Sequence, residues 1–161
     1  MLDAVEQPPK IEPPLGMYPA QLDDRGRVKL PAKFQEYFGA LKEKRFFVTS
    51  LNRTTAQIYT IPAWRDNAKF LASYRDDPKK AGNVAFNAAD LGAEADMDSQ
   101  GRILFSEKLR RALEIENQPV RLYAYRSHIE VLSDKIYQQL KGEASVNPVG
   151  DLATLEAAGL N

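Results

Sequence analysis

Leu22-Asp23-Asp24-Arg25-Gly26-Arg27-Val28 aligns with Met97-Asp98-Ser99-Gln100-Gly101-Arg102-Ile103 at an offset of 75 residues. The match continues weakly through Lys33 and Lys108, Phe34 and Leu109, and Phe38 and Leu113. At the same offset Arg45-Phe46-Phe47-Val48 falls on Val120-Arg121-Leu122-Tyr123. Gln57-Ile58-Tyr59-Thr60-Ile61 then meets His128-Ile129-Glu130-Val131-Leu132 at an offset of 71, so the second copy has lost about four loop residues. Two half-length copies of one unit within 161 residues limit the chain to a duplicated small fold.

Each copy reads as the same series of elements. A short strand (Tyr18–Leu22, Ala93–Met97) runs into a tight turn closed by Asp-x-x-Gly. Such a turn asks for a positive φ at glycine, and the aspartate can accept hydrogen bonds from the turn's own N–H groups. A second strand follows (Arg27–Leu30, Arg102–Phe105), then a short helix opened by Pro31 in copy one and by Ser106 as N-cap in copy two. Next come hairpins of aromatic and β-branched residues, Phe46-Phe47-Val48 with Ile58–Ile61, and Val120–Tyr125 with His128–Leu132. A closing helix starts near Pro62 or Ser133. The order is ββαββα twice, an α+β chain, with repeat 1 over residues 17–75 and repeat 2 over 93–141.

Residues 1–16, with Pro8, Pro9, Pro13 and Pro14, read as an extended, flexible arm. Residues 76–92 read as a linker and 142–161 as a flexible tail with one weak helix from Asp151.

The composition is globular: 43% hydrophobic and 27% charged, with no apolar run of membrane-spanning length. The N-terminus is acidic and proline-rich, unlike a signal or transit peptide. Without cysteine there is no disulfide scaffold, thiolate zinc site or cysteine nucleophile, which fits a cytosolic address. A formal net charge of zero speaks against a DNA-coating protein until it is divided along the chain. Residues 25–53 then carry +6 and residues 102–126 carry +3, offset by an acidic arm, linker and tail. The two motif-bearing blocks are basic.

Catalytic and metal readings are weak. Asp96, Asp98, Gly101 and Glu107 fall at positions 1, 3, 6 and 12 of a calcium loop. However, Gln100 and Leu104 occupy two ligand positions, and the sister segment Gln21–Ala32 keeps Asp-x-x-Gly-Arg while losing the first and last ligands. The shared part is not the calcium part. His128, the single histidine, reads as a strand residue rather than a base. There is no phosphate loop, no His-Glu-x-x-His and no Gly-x-Ser-x-Gly. Trp64, Phe70 and Leu71 at helical spacing read as core or subunit-interface residues. No enzyme, metal or cofactor is expected.

Two Asp-x-x-Gly-Arg turns, each between short strands and followed by a short helix, resemble the SpoVT-AbrB class of DNA-binding domains. The pair in one chain resembles the MraZ family of bacterial transcriptional regulators. The carrying segments are Leu22–Phe34 and Asp98–Leu104 continuing into Glu107-Lys108-Leu109-Arg110-Arg111. The resemblance covers about residues 17–141. It implies swapped hairpins interleaved into a small β-barrel pseudo-dimer flanked by short helices. It further implies a ring-shaped homo-oligomer, cytoplasmic and associated with the nucleoid, that binds direct repeats in double-stranded promoter DNA. The promoter implied is that of the division and cell-wall gene cluster, and the action is repression. Three features depart from the pattern: Phe105-Ser106 replaces an aliphatic residue and proline, Gln35 stands where related proteins often carry arginine, and the arm is long.

On this reading Arg27 and Arg102, each just after a turn glycine, present planar guanidinium forks to guanine edges or phosphate. Arg25, Lys29 and Lys33 in copy one, and Lys108, Arg110 and Arg111 in copy two, are the phosphate candidates. Asp23, Gly26, Asp98 and Gly101 shape the turns. The competing reading for the Asp–Arg pairs is a salt-bridged turn with no further role. The competing function is a protein-interaction or structural ring, antitoxin-like, on the same scaffold without specific DNA binding.

Overall fold

The computed structural model describes residues 10–161; most of the expected arm, residues 1–9, lies outside the described residues. The chain is a mixed α+β fold. Its strands are β1 (Met17–Gln21), β2 (Arg27–Lys29), β3 (Arg45–Thr49), β4 (Ala56–Thr60), β5 (Ala93–Asp96), β6 (Arg102–Leu104), β7 (Pro119–Tyr125) and β8 (His128–Ser133). Its helices are α1 (Ala32–Leu41), α2 (Ile61–Ser73), α3 (Pro78–Leu91), α4 (Glu107–Leu113), α5 (Asp134–Ala144) and α6 (Pro148–Ala158).

Strand pairing is antiparallel throughout. Six strands form one sheet in the order β1-β7-β8-β4-β3-β5, and β2 pairs with β6 in a separate two-stranded ribbon. Only β3–β4 and β7–β8 are hairpins within a copy; β1–β7, β3–β5, β4–β8 and β2–β6 join one copy to the other. The 75-residue offset maps β1–β7 onto β5–β3, so the cross-copy pairings come in equivalent partners. β1 is an edge strand, which suits Pro19, since a missing N–H there removes no interior ladder bond.

The two copies therefore share one core rather than holding one each. Leu22, Val28, Phe34 and Phe46 from the first copy and Ile103, Phe105, Leu109 and Leu122 from the second are fully buried in a single cluster. Phe38 meets Phe46 edge-on at 4.7 Å between ring centres, and Tyr18 meets Phe34 at 5.4 Å. Burying apolar side chains of this size contributes about 1.5–3 kcal/mol each.

Several helix starts follow local chemistry. Ser106 and Ser133 accept from Leu109 N–H and Ile136 N–H as N-caps of α4 and α5, and Thr60 caps α2 through Ala63 N–H. The expected linker contains a helix instead. Asp77 accepts from Lys80 N–H and Pro78 opens the first turn of α3, whose Ala81, Ala88 and Leu91 are buried. Thr49 Oγ1 donates to Ala88 O at 2.8 Å and ties α3 to β3. The tail likewise forms α6, capped by Asn147 and led by Pro148, with no buried side chain.

His128 opens β8 as a strand residue. Its Nε2 lies 2.6 Å from Glu130 Oε2, and the same buried carboxylate accepts from Gln57 and Thr55. Tyr59 stacks on this histidine, and burial pushes its phenol up to about 12.

Candidate nucleic-acid interface

The candidate surface is the β2–β6 ribbon. Its register sets Arg27 opposite Leu104, Val28 opposite Ile103 and Lys29 opposite Arg102. Strand residues two apart share a face, as do cross-strand partners. Val28 and Ile103, both fully buried, form the inner face. Arg27, Lys29, Arg102 and Leu104 form the other. Three cations from two copies and one leucine thus lie on one narrow ribbon.

Each end of the ribbon mixes the two copies. Phe105 N–H donates to Gly26 O at 2.8 Å, and Leu30 N–H donates to Gly101 O at 2.9 Å. The first copy's turn, with Arg25 and Arg27, therefore sits beside Leu104 and the start of α4. The second copy's turn, with Gln100 and Arg102, sits beside Lys29 and the start of α1.

The two turns are built alike. Asp23 Oδ1 accepts the N–H groups of Arg25 (2.9 Å) and Arg27 (2.8 Å), while Oδ2 accepts Arg27 Nε at 2.9 Å. Asp98 Oδ1 accepts those of Gln100 and Arg102, both at 2.9 Å, and Oδ2 accepts Arg102 Nε at 2.7 Å. The salt-bridged turn is real, yet it takes only Nε of each arginine. The terminal nitrogens have no partner among the described residues, and each guanidinium is fixed in direction by its aspartate. The side chains are partly covered, 25% exposed at Arg27 and 27% at Arg102.

These bonds set the carboxyl chemistry. The backbone N–H of Arg102 chiefly, helped by its guanidinium and by Gln100 N–H, holds Asp98 down to about 2 against the opposing effect of desolvation. Asp23 is lowered in the same way, led by Arg27 N–H. A depressed carboxylate favours the folded turn at every pH above the ordinary value of 3.8, and that contribution is lost as pH falls toward about 2. In a carbon-detected NMR titration the Asp98 carboxyl is expected to turn over near 2; a midpoint near 3.8 would show the turn unformed in solution.

The remaining candidates separate by burial. Arg25, Lys29 and Lys33 are exposed around the first turn and α1. Arg111 is exposed and pairs with Glu107 one turn back. Lys108 is exposed but is bonded to Asp90, which also takes Arg53 Nη2 at 2.8 Å; the Lys108 bond and then the Arg53 bond lower the Asp90 carboxyl. Arg110 is the least exposed of the group. Its side chain is only 17% exposed, and its Nη1 donates to Phe105 O within the fold. It lies over Gly26, where a Cβ would overlap its guanidinium.

The 75-residue offset places Gln35 on Arg110, a signal of its structural role. Gln35 donates from Nε2 to Leu30 O at 2.7 Å and lies over Gly101, as Arg110 does over Gly26. Its lack of charge therefore takes nothing from the basic face. Leu104 was missed as a working residue; the same offset sets it on Lys29, and it is 51% exposed.

The carboxylates of the rejected calcium loop are each taken by an arginine. Asp96 pairs with Arg45 at 3.0 Å, Asp98 with Arg102 and Glu107 with Arg111. Among the described residues no helix is long and apolar enough to cross a membrane.

A family model described as "MraZ protein, putative antitoxin-like" matches residues 91–154. A transcriptional regulator MraZ from Koribacter versatilis is 31% identical over 150 residues, covering 90% of this chain and 98% of its own. The chain belongs to the MraZ family. Other MraZ relatives include those of Acidobacterium capsulatum, 27% identical over 124 residues (77% of this chain, 84% of theirs), and Methylococcus capsulatus, 26% identical over 140 residues (85% and 92%). All three are named transcriptional regulators rather than enzymes. Coverage of this extent carries the MraZ relationship across both Asp-x-x-Gly-Arg turns, beyond the stretch that the family model matches.

Proposed function

We propose that this chain is a sequence-specific DNA-binding transcriptional regulator that reads base edges with the β2–β6 ribbon. The observation that carries this is the register that gathers Arg27, Lys29 and Arg102 on one outward face. A major groove admits a two-stranded β-ribbon, and an arginine fork bonds bidentately to the N7 and O6 of guanine. Arg27 and Arg102 read bases, while Arg25, Lys29, Lys33, Lys108 and Arg111 contact phosphate. Asp23 and Asp98 aim the arginines, and Gly26 and Gly101 admit the side chains that brace the turns.

The finer parts of the reading follow the MraZ resemblance. Two SpoVT-AbrB repeats, 17–75 and 93–141, form a pseudo-dimeric barrel of swapped hairpins. The protein represses the division and cell-wall gene cluster from direct repeats in its promoter, on the nucleoid, as a ring of copies. Two uncovered surfaces support assembly. Helix α6 exposes Val149, Leu152 and Leu155, and an 11-residue helix without a packing partner is marginal in water. An open groove of about 630 Å³ lies between α2 and α3, lined by Trp64, Leu71, Ala81 and Ala85. Placing α6 of one copy in the α2–α3 groove of the next is a head-to-tail contact, the kind that closes into rings. Several copies on spaced sites then bind through effective concentration although each carries few cations.

The test is fluorescence anisotropy on the duplex upstream of the chain's own gene, with a scrambled duplex as control and light scattering for mass. Affinity for the upstream duplex is expected to fall with salt at a log–log slope of about −4.5 per bound copy, from about five phosphate contacts. Equal affinity for the scrambled duplex overturns the specific reading in favour of an interaction module, and a monomeric mass overturns the ring.

A further inference from the structure

The ribbon is symmetric in backbone and asymmetric in chemistry. The 75-residue offset that equates Arg27 with Arg102 also equates Lys29 with Leu104 and Arg25 with Gln100. Because the strands are antiparallel, each arginine faces the other copy's non-equivalent residue: Arg27 faces Leu104, and Arg102 faces Lys29. One end is thus arginine beside an apolar side chain, and the other is arginine beside an ammonium. A chain that kept the same residue in both copies would read its site identically in either direction.

Leu104 is the one apolar side chain on the ribbon's outer face. Its neighbours Ile103 and Phe105 are fully buried and fill the core, whereas Leu104 is 51% exposed on the opposite face, between cations. A solvent-facing leucine in a cationic patch gains nothing from water or from phosphate. In a major groove it meets the one apolar group that base edges offer, the 5-methyl of thymine.

We propose that Leu104 is a specificity-determining residue that packs on a thymine methyl next to the base pair read by Arg27, and so gives the ribbon a direction on DNA. The Lys29 end, lacking an apolar contact, is indifferent to thymine methyls. This rests on the ribbon being the DNA-reading surface. It adds that the two ends recognise different steps, and that the site for one copy is not palindromic although the reader is nearly two-fold symmetric.

Replacing thymine by deoxyuridine deletes the methyl and leaves every hydrogen-bonding group in place. The experiment uses the upstream duplex with each thymine replaced singly by deoxyuridine, titrated with the full chain and with Leu104→Ala and Leu104→Lys. Both variants change an exposed side chain, and circular dichroism confirms their folding. One position, or one per repeated site, is expected to lose about fourfold in affinity with the unaltered chain, the effect of one buried methyl. That loss is expected to vanish in both variants while losses at other positions persist.

A uracil effect of the same size in the unaltered chain and both variants overturns the assignment to Leu104. Specific binding with no uracil effect at any position overturns it as well. If instead the unaltered chain shows no preference for the upstream duplex over a scrambled one, the DNA-reading assignment of the whole ribbon falls, and this inference with it.

Discussion

Arg102→Ala is expected to weaken binding to the upstream duplex by roughly 5- to 150-fold, and Arg27→Ala by a similar factor, since a bidentate arginine–guanine pair is worth about 1–3 kcal/mol of discrimination. The double variant is expected to bind that duplex no better than a scrambled one. Folding should be little affected, because each arginine gives the fold only a partly exposed ion pair within its own turn, of a kind worth about 0.2–1 kcal/mol at the surface. Arg102→Lys separates shape from charge. Lysine keeps the positive charge and leaves the phosphate contacts, hence the salt slope, in place, but it has no fork to bond two guanine acceptors and cannot reproduce the guanidinium bond that Asp98 orients. It is therefore expected to resemble alanine in specificity and the unaltered chain in salt dependence. Anisotropy on matched specific and scrambled duplexes reads both. Unchanged affinity in the double alanine variant would remove the ribbon as the DNA-reading surface, and the antitoxin-like interaction module would replace it.

The parts of this molecule that sequence made legible are those decided within a few residues of the chain. The Asp-x-x-Gly-Arg turns, the cap at Ser106, and the helix starts near Pro62 and Ser133 all depend on neighbours close in sequence. Partner choice between strands does not. The spacing of β1 and β2 about the Asp23–Gly26 turn suggests a hairpin, yet only the single bridge Leu22–Val28 joins the strands, and each finds its main partner in the other copy. Local pattern is blind to that choice because either pairing would bury the same alternate residues. Helix α3 is a different kind of miss: Asp77 and Pro78 are good start signals, but the surrounding charge run reads as solvated linker until Ala81, Ala88 and Leu91 find a surface to cover. Arg110 misleads for a third reason. A charged residue on a short helix reads as surface, and only the approach of the other copy's glycine shows that the guanidinium lies over backbone.

That approach makes Gly26 a position where the two copies meet closely: its carbonyl accepts from Phe105 N–H, and Arg110 lies over its Cα. Gly26 has φ of +79° and Gly101 of +78°, a region that costs an L-residue about 1–2 kcal/mol. A Cβ at Gly26 would also meet the Arg110 guanidinium, forcing it off the Phe105 carbonyl. A hydrogen bond from a charged group is worth about 1.5–3 kcal/mol. Gly26→Ala is therefore expected to destabilise the chain by about 2.5–5 kcal/mol. At Gly101 the displaced group is the neutral Gln35 amide, a bond of about 0.5–1.5 kcal/mol, so Gly101→Ala should cost about 1.5–3.5 kcal/mol. Urea unfolding at fixed protein concentration measures both, provided the slope stays constant. The decisive comparison is Gly26→Ala made in an Arg110→Ala background. With no guanidinium to displace, only the backbone strain of about 1–2 kcal/mol should remain, giving a coupling of at least 1 kcal/mol between residues of different copies. Equal losses in the two backgrounds would show that Arg110 does not brace the first turn in solution, and would return it to the solvent-facing, phosphate-contacting position that its charge suggests.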